Sequence, residues 1–110
     1  MESTARRTLV KSAPELWELA DDLERMEAWL CDVAGGPVPG VEVTEREHQQ
    51  RLAWQNADTA IALELAEGTF GTAVRIRANH EAVDPNGAKA ALERLLDELG
   101  SPERRPFTRA

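Results

Sequence analysis

From Val41 onward the apolar residues alternate with polar ones, and this period constrains the chain more than any other feature of the sequence. Val41 and Val43 share one face, followed by Leu52, Trp54 and Asn56, then Ile61, Leu63 and Leu65, then Val74, Ile76 and Ala78. Successive side chains of a strand point to opposite faces, so each set predicts a strand with one buried side. Short polar breaks separate the four runs. Such spacing predicts an antiparallel meander with a single apolar face.

The last two runs also carry their own register. When Ile61, Leu63 and Leu65 lie beside Ala78, Ile76 and Val74, the segment Gly68-Thr69-Phe70-Gly71 is left to form the loop. Its two glycines are available for left-handed backbone. The same register sets Glu64 opposite Arg75 on the outer face, a favourable cross-strand pair. The outer face of this third meander strand is otherwise smooth, with Ala60, Ala62 and Ala66 beside Glu64.

The first third of the chain follows different periods. Arg6 to Val10 reads as a short strand. Ser12-Ala13-Pro14-Glu15 then opens a helix, with Ser12 as the cap, Pro14 in the first turn and Glu15 placed to complete a capping box. Leu16, Leu19, Leu23, Met26 and Leu30 continue at helical spacing as one buried stripe. Asp21 with Glu24 offers a second cap, so the segment is either one helix or two with a bend near Asp22. Gly35-Gly36-Pro37-Val38-Pro39-Gly40 ends it in a loop.

After the meander, Asp84-Pro85-Asn86-Gly87 breaks the sheet and leads into a helix over roughly 88–99. Ala88, Ala91, Leu92, Leu95, Leu96 and Leu99 form its apolar stripe, and Gly100-Ser101-Pro102 stops it. Residues 1–100 therefore read as one domain and 101–110 as a flexible basic tail. A chain of 110 residues has no room for two ordinary cores.

Composition narrows the function classes. Apolar residues make up 42% and charged residues 30%, as in a globular domain. No apolar run approaches the roughly 20 residues of a membrane-spanning helix. The segment Met1 to Arg7 is polar and unlike a secretory signal. Cys31 is the only cysteine, which excludes an internal disulfide and makes the cytoplasm the expected location. The net charge is −7, and seven acids lie between Ala13 and Asp32 against Arg25 alone. Nucleic-acid binders neutralise phosphates with a basic face, so no nucleic-acid partner is expected. The acids read as a solvated helix surface.

Catalytic and metal-binding patterns are absent from the sequence. His48 and His80 are distant from each other, and Cys31 has no second thiol at ligand spacing. No histidine and acid stand ready to activate a nucleophile. Asp21-Asp22 sits on the acidic helix surface, and Gly35-Gly36 lacks the lysine and hydroxyl of a phosphate loop. No catalytic residue, metal or cofactor is expected.

Three segments resemble the START-like or Bet v 1-like superfamily, including its polyketide cyclase/dehydrase-like and chaperone-ATPase-activator-like members. Leu9-Val10-Lys11-Ser12-Ala13-Pro14-Glu15-Leu16-Trp17 is similar to that family's first strand and proline-opened helix. Val41-Glu42-Val43-Thr44-Glu45 with Arg51-Leu52-Ala53-Trp54 is similar to its central hairpin, and Gly71-Thr72-Ala73-Val74-Arg75-Ile76 to the strand before its closing helix. The resemblance implies an α+β fold of helix-grip type, with an antiparallel sheet packed on the C-terminal helix. It also implies a cavity for lipids, polyketides or other apolar molecules. Two strands that normally follow the second helix are missing, leaving about five.

The expected site lies between the meander and the closing helix, lined by Trp54, Leu63, Leu65, Ile76, Leu92 and Leu96. Asn56 and His80 are candidate polar groups on the same face. A few polar groups in an apolar cavity are what a small-molecule site requires, and ordinary core packing is the competing reading of the same residues. A small apolar ligand is the expected partner. The alternative is a protein-interaction or homodimerising module that uses the shortened sheet, by edge pairing or by face contact.

Overall fold

A computed structural model describes residues 2–36, 40–56, 59–80 and 85–100. The elements follow the order β1 (Glu2–Leu9), α1 (Ala13–Ala20), α2 (Leu23–Ala34), β2 (Glu42–Glu47), β3 (Arg51–Gln55), β4 (Thr59–Gly68), β5 (Gly71–His80) and α3 (Pro85–Gly100). The strands form one antiparallel sheet in the order β1-β5-β4-β3-β2, so the first strand closes against the last. The helices cover one face of this sheet, and α3 lies against β1, β5, α1 and α2. The chain is thus α+β, with the five-stranded sheet and C-terminal helix anticipated above.

The β4–β5 hairpin has the expected register, with Ile61 opposite Ala78, Leu63 opposite Ile76 and Leu65 opposite Val74. Thr69 and Phe70 form the turn between the paired glycines Gly68 and Gly71. Of those two glycines only Gly71 takes positive φ, at 138°. Alternation along the strands buries Leu52, Trp54, Ile61, Leu63, Leu65, Val74, Ile76 and Ala78 on the helix side.

Expectations of element bounds and of one buried residue, Leu23, need correction. The first strand starts at Glu2 rather than Arg6 and stops at Leu9, leaving Val10 91% exposed. Its early half alternates as a strand should, but the inward residues are Ser3 and Ala5, too small to give an apolar signal. Of the two alternatives left open for the helical segment, the structure has two helices. Ser12 and Glu15 form the capping box of α1, and Asp22 caps α2 by accepting from the Glu24 and Arg25 amides. The turn at Asp21-Asp22 resets the helical phase. Leu23 therefore becomes an exposed first-turn residue, 60% accessible, while Trp17, Ala20, Trp29 and Val33 join the buried set. Gly35 ends α2 in the left-handed conformation, φ 82°.

Glu64 stands opposite Arg75 as expected, with the pair at 4.0 Å, and Arg51 on the other neighbouring strand bonds it more closely, at 2.8 Å. Glu64 sits on the central strand of the sheet, so it has cross-strand partners on both sides. The closing helix starts at Pro85, earlier than the alanine stripe indicated, because proline is tolerated in a first turn. The tail expected over 101–110 lies outside the described residues.

Candidate functional site

The layer between sheet and α3 is apolar from both sides. Trp54, Leu63, Ile76, Leu92 and Leu96 are fully buried, and Leu65 is 7% exposed. All six belong to one continuous core that also takes in Trp29, Met26, Leu30 and Leu95. Ala88 and Ala91 lie buried at the start of the α3 stripe. The sheet register stacks Leu52, Leu63, Ile76 and Ala5 in one row across four strands. Trp54, Ile61, Ala78 and Ser3 form the next row.

The polar atoms bordering this layer are bonded. Trp54 Nε1 donates to the Met26 carbonyl at 3.1 Å, and its ring lies 5.8 Å from that of Trp29. Trp29 Nε1 in turn donates to a Glu98 carboxylate oxygen at 3.0 Å. Buried indoles usually find such a partner, and these two connect β3 to α2 and α2 to α3. Thr72, also fully buried, donates its hydroxyl to the Lys11 carbonyl at 2.7 Å.

Charged groups hold α3 along its two flanks. On the β1 side Arg7 bonds both Glu93 and Asp97, and Lys89 donates to the Thr4 carbonyl at 3.1 Å. Hydrogen bonding to Asp97, more than any other cause, raises the Arg7 pKa above its ordinary value. On the α2 side Arg94 makes a two-pronged contact with Asp32, at 2.7 and 3.0 Å. These pairs are exposed and screened by solvent, so each adds little to stability. Their effect is to fix where the helix lies on the sheet.

The two expected polar candidates sit at one end of this layer. Asn56 follows β3, is half-buried, and accepts the Thr59 amide through Oδ1 at 2.8 Å. That bond makes it a turn residue between β3 and β4. His80 ends β5 opposite Thr59, and its side chain lies outside the described residues. The other histidine, His48 in the β2–β3 turn, packs edge-on against Trp17 at 5.4 Å. Among the described residues no group of three or more His, Cys, Asp or Glu side chains could hold a metal ion. Among them, too, no helix is long and apolar enough to cross a membrane.

The sequence reading missed Met26 and Trp29 as neighbours of Trp54, because nothing local ties α2 to β3. It also missed a groove of about 680 Å³ on the opposite face of the sheet, lined by Arg6, Thr8, Gln50, Arg51, Glu64 and Arg75 among others.

A strand, two short helices, a four-stranded meander and a closing helix laid across the sheet make up the helix-grip-like fold that the resemblance to START-like proteins implies. Solved structures agree. An AHSA1-like protein from Aeromonas hydrophila superposes with a TM-score of 0.70 at 16% identity, over 91% of this chain and 90% of that one. The Aha1 dimer from Colwellia psychrerythraea gives 0.61 at 19% identity, over 91% and 96%. DynU16, a protein of the dynemicin biosynthetic locus, gives 0.65 at 13% identity, over 90% of this chain and 45% of that one. At these identities the likeness is one of fold. No family model and no curated protein matches the sequence.

Proposed function

We propose that the protein binds a small apolar molecule, lipid- or polyketide-like, between the sheet and α3. The observation that carries this reading is the uniform chemistry of that layer. Trp54, Leu63, Leu65 and Ile76 meet Leu92 and Leu96 there, and the two indole N–H groups at its border already have acceptors. An apolar guest would exchange side-chain contacts for ligand contacts without stranding a polar atom. These side chains are closed on one another in one buried core. Uptake therefore requires α3 to lift, and its flanks are held by exposed ion pairs of modest strength. The resemblance to polyketide cyclase/dehydrase-like proteins makes polyketides a reasonable first ligand class to test. Binding of this kind needs no catalytic group.

The test is a titration with fatty acids, sterols and aromatic polyketides, followed by tryptophan fluorescence. Trp54→Phe is the control, because Trp17 and Trp29 also emit. Saturable binding is expected in the parent chain and not in Leu92→Trp, provided that variant keeps its circular dichroism spectrum. No change in fluorescence or melting with any ligand class would remove this reading.

A second reading, self-association through the sheet, rests on the outer face. Ala53, Ala60, Ala62, Ala66 and Ala73 make it smooth, with arginines on the β5 side and Glu42, Glu45 and Glu47 along β2. A two-fold axis along β4 would bring the basic half of one copy onto the acidic strand of the other. Edge pairing is the weaker route. β2 carries a register shift between Val43 and Glu45 and four charged side chains, features that blunt an edge. The dimeric state of the Colwellia neighbour is compatible with either route. Sedimentation should show a dimer that Ala62→Glu dissociates, and a clean monomer at high concentration would remove this second reading.

A further inference from the structure

The register lines up five charged side chains on the outer face, one from each strand. They run Arg6 on β1, Arg75 on β5, Glu64 on β4, Arg51 on β3 and Glu47 on β2. Charge along this row is unevenly compensated. Glu64 serves three guanidinium groups, at 2.8 Å from Arg51, 3.9 Å from Arg77 and 4.0 Å from Arg75. Arg51 has a second carboxylate in Glu45 at 3.3 Å, and the hydrogen bond to it does most to raise the Arg51 pKa. Arg6 makes no ion pair among the described residues and lies directly opposite Arg75. Like charges directly opposite each other on a sheet repel and are disfavoured. The groove of about 680 Å³ opens over this pair. Four arginines and two glutamates line it, in a chain whose net charge is −7.

We infer that this groove is a second binding site, for a small organic oxyanion of the phosphate-monoester class, held by Arg6 and Arg75. Guanidinium groups present paired N–H donors that match phosphate geometry, and two of them side by side can share one dianion. The volume lies within the roughly 300–1,000 Å³ of small-molecule sites, so an organic body accompanies the anion. Ala66 and Ala73, paired across β4 and β5, give that body a smooth floor. Glu64 does not oppose the anion strongly, because Arg51 already neutralises it at 2.8 Å. A nucleic-acid backbone fits less well, since Glu47 and Glu64 line the groove and Glu45 stands 3.3 Å from Arg51 beside it. The site is independent of the apolar layer on the other face, and either can fail without the other.

Phenyl phosphate is the probe, titrated calorimetrically into the full chain. Saturable binding is expected, with no heat from phenol, which has the ring but no phosphate. Arg6→Gln and Arg75→Gln should each weaken it at least about tenfold, the effect of losing charge-assisted hydrogen bonds. Arg25→Gln, on the far side of the molecule, should leave it unchanged. Arg6→Gln should melt no lower than the parent chain, because it removes a repulsion, so lost binding would not report unfolding. Parent-like affinity in both groove variants would overturn the assignment, as would the absence of saturable binding. Sedimentation with phosphatidic acid vesicles, lost in Arg75→Gln and unaccompanied by phenyl phosphate binding, would identify a membrane headgroup instead. A dimer that Arg6→Gln dissociates, again without phenyl phosphate binding, would give the groove to a second copy.

Discussion

Trp54→Ala is expected to destabilise the domain by about 3–5 kcal/mol, the cost of emptying a fully buried aromatic site. The ring is inaccessible to solvent, lies 5.8 Å from Trp29, and donates Nε1 to the Met26 carbonyl at 3.1 Å. Its removal takes away dispersion contacts on β3, α2 and the α3 side of the core together, and the surrounding elements cannot all collapse inward. A domain of this size is stable by about 5–15 kcal/mol, so the variant should lie close to the folding threshold. Trp54→Phe keeps most of the packed ring and loses the hydrogen bond, so about 1–2 kcal/mol is expected for it. Urea unfolding of the three proteins checks both numbers. A Trp54→Ala chain as stable as Trp54→Phe would show that the site relaxes freely around the missing ring.

Gly71→Ala is expected to cost about 2–4 kcal/mol, well above an ordinary surface substitution, from overpacking combined with backbone strain. Gly71 opens β5 with φ 138°, a conformation that residues with a side chain rarely adopt. A Cβ there would overlap the Leu9 carbonyl oxygen and stand 2.9 Å from its carbon, both backbone atoms. Relief requires the end of β1 to move away, which breaks the Leu9–Thr72 pairing at the end of the ladder. Gly100 supplies the comparison. A Cβ on it would meet Leu9 Cδ2 at 2.9 Å, the mobile tip of a side chain. Only the end of a side chain, not backbone, has to shift there, so Gly100→Ala should cost less, under about 1 kcal/mol, offset in part by the gain in helix propensity. Chemical denaturation of both variants separates the two cases, and equal costs would contradict the argument from backbone contact.

The parts of the fold that were legible in the sequence are those whose signal is local. The β4–β5 register followed from Ile61, Leu63 and Leu65 facing Val74, Ile76 and Ala78, because a one-residue slip would turn every one of them to the wrong face. The start and end of α1 and α2 were written in Ser12, Asp22 and Gly35, but two caps close together left one helix or two undecided. β1 was half hidden, since Ser3 and Ala5 carry little apolar signal and its partner strand lies seventy residues away. The candidate layer was legible as a set of inward residues from the meander and α3. Its connection to Trp29 and Met26 was not, because no pattern in the sequence specifies how α2 packs on β3. The arginine row was the least visible feature. Each member is present in the sequence, but the row exists only once β1 is paired to β5 and β3 to β4.

The pairing of the first strand with the last has a consequence for the order of assembly. The meander from β2 to β5 is built of neighbouring hairpins, and each of its ladders closes a short loop. β1 instead waits for a partner that is the last strand to be synthesised, and α3 follows later still. Its ladder closes the longest loop in the domain, which slows folding more than it lowers stability. On the ribosome, therefore, residues 2–9 emerge before the other strands of the sheet and find their place almost last. Until β5 appears, one edge of the nascent sheet stays open and the apolar face stays uncovered, the interval in which this chain is most exposed to misassembly.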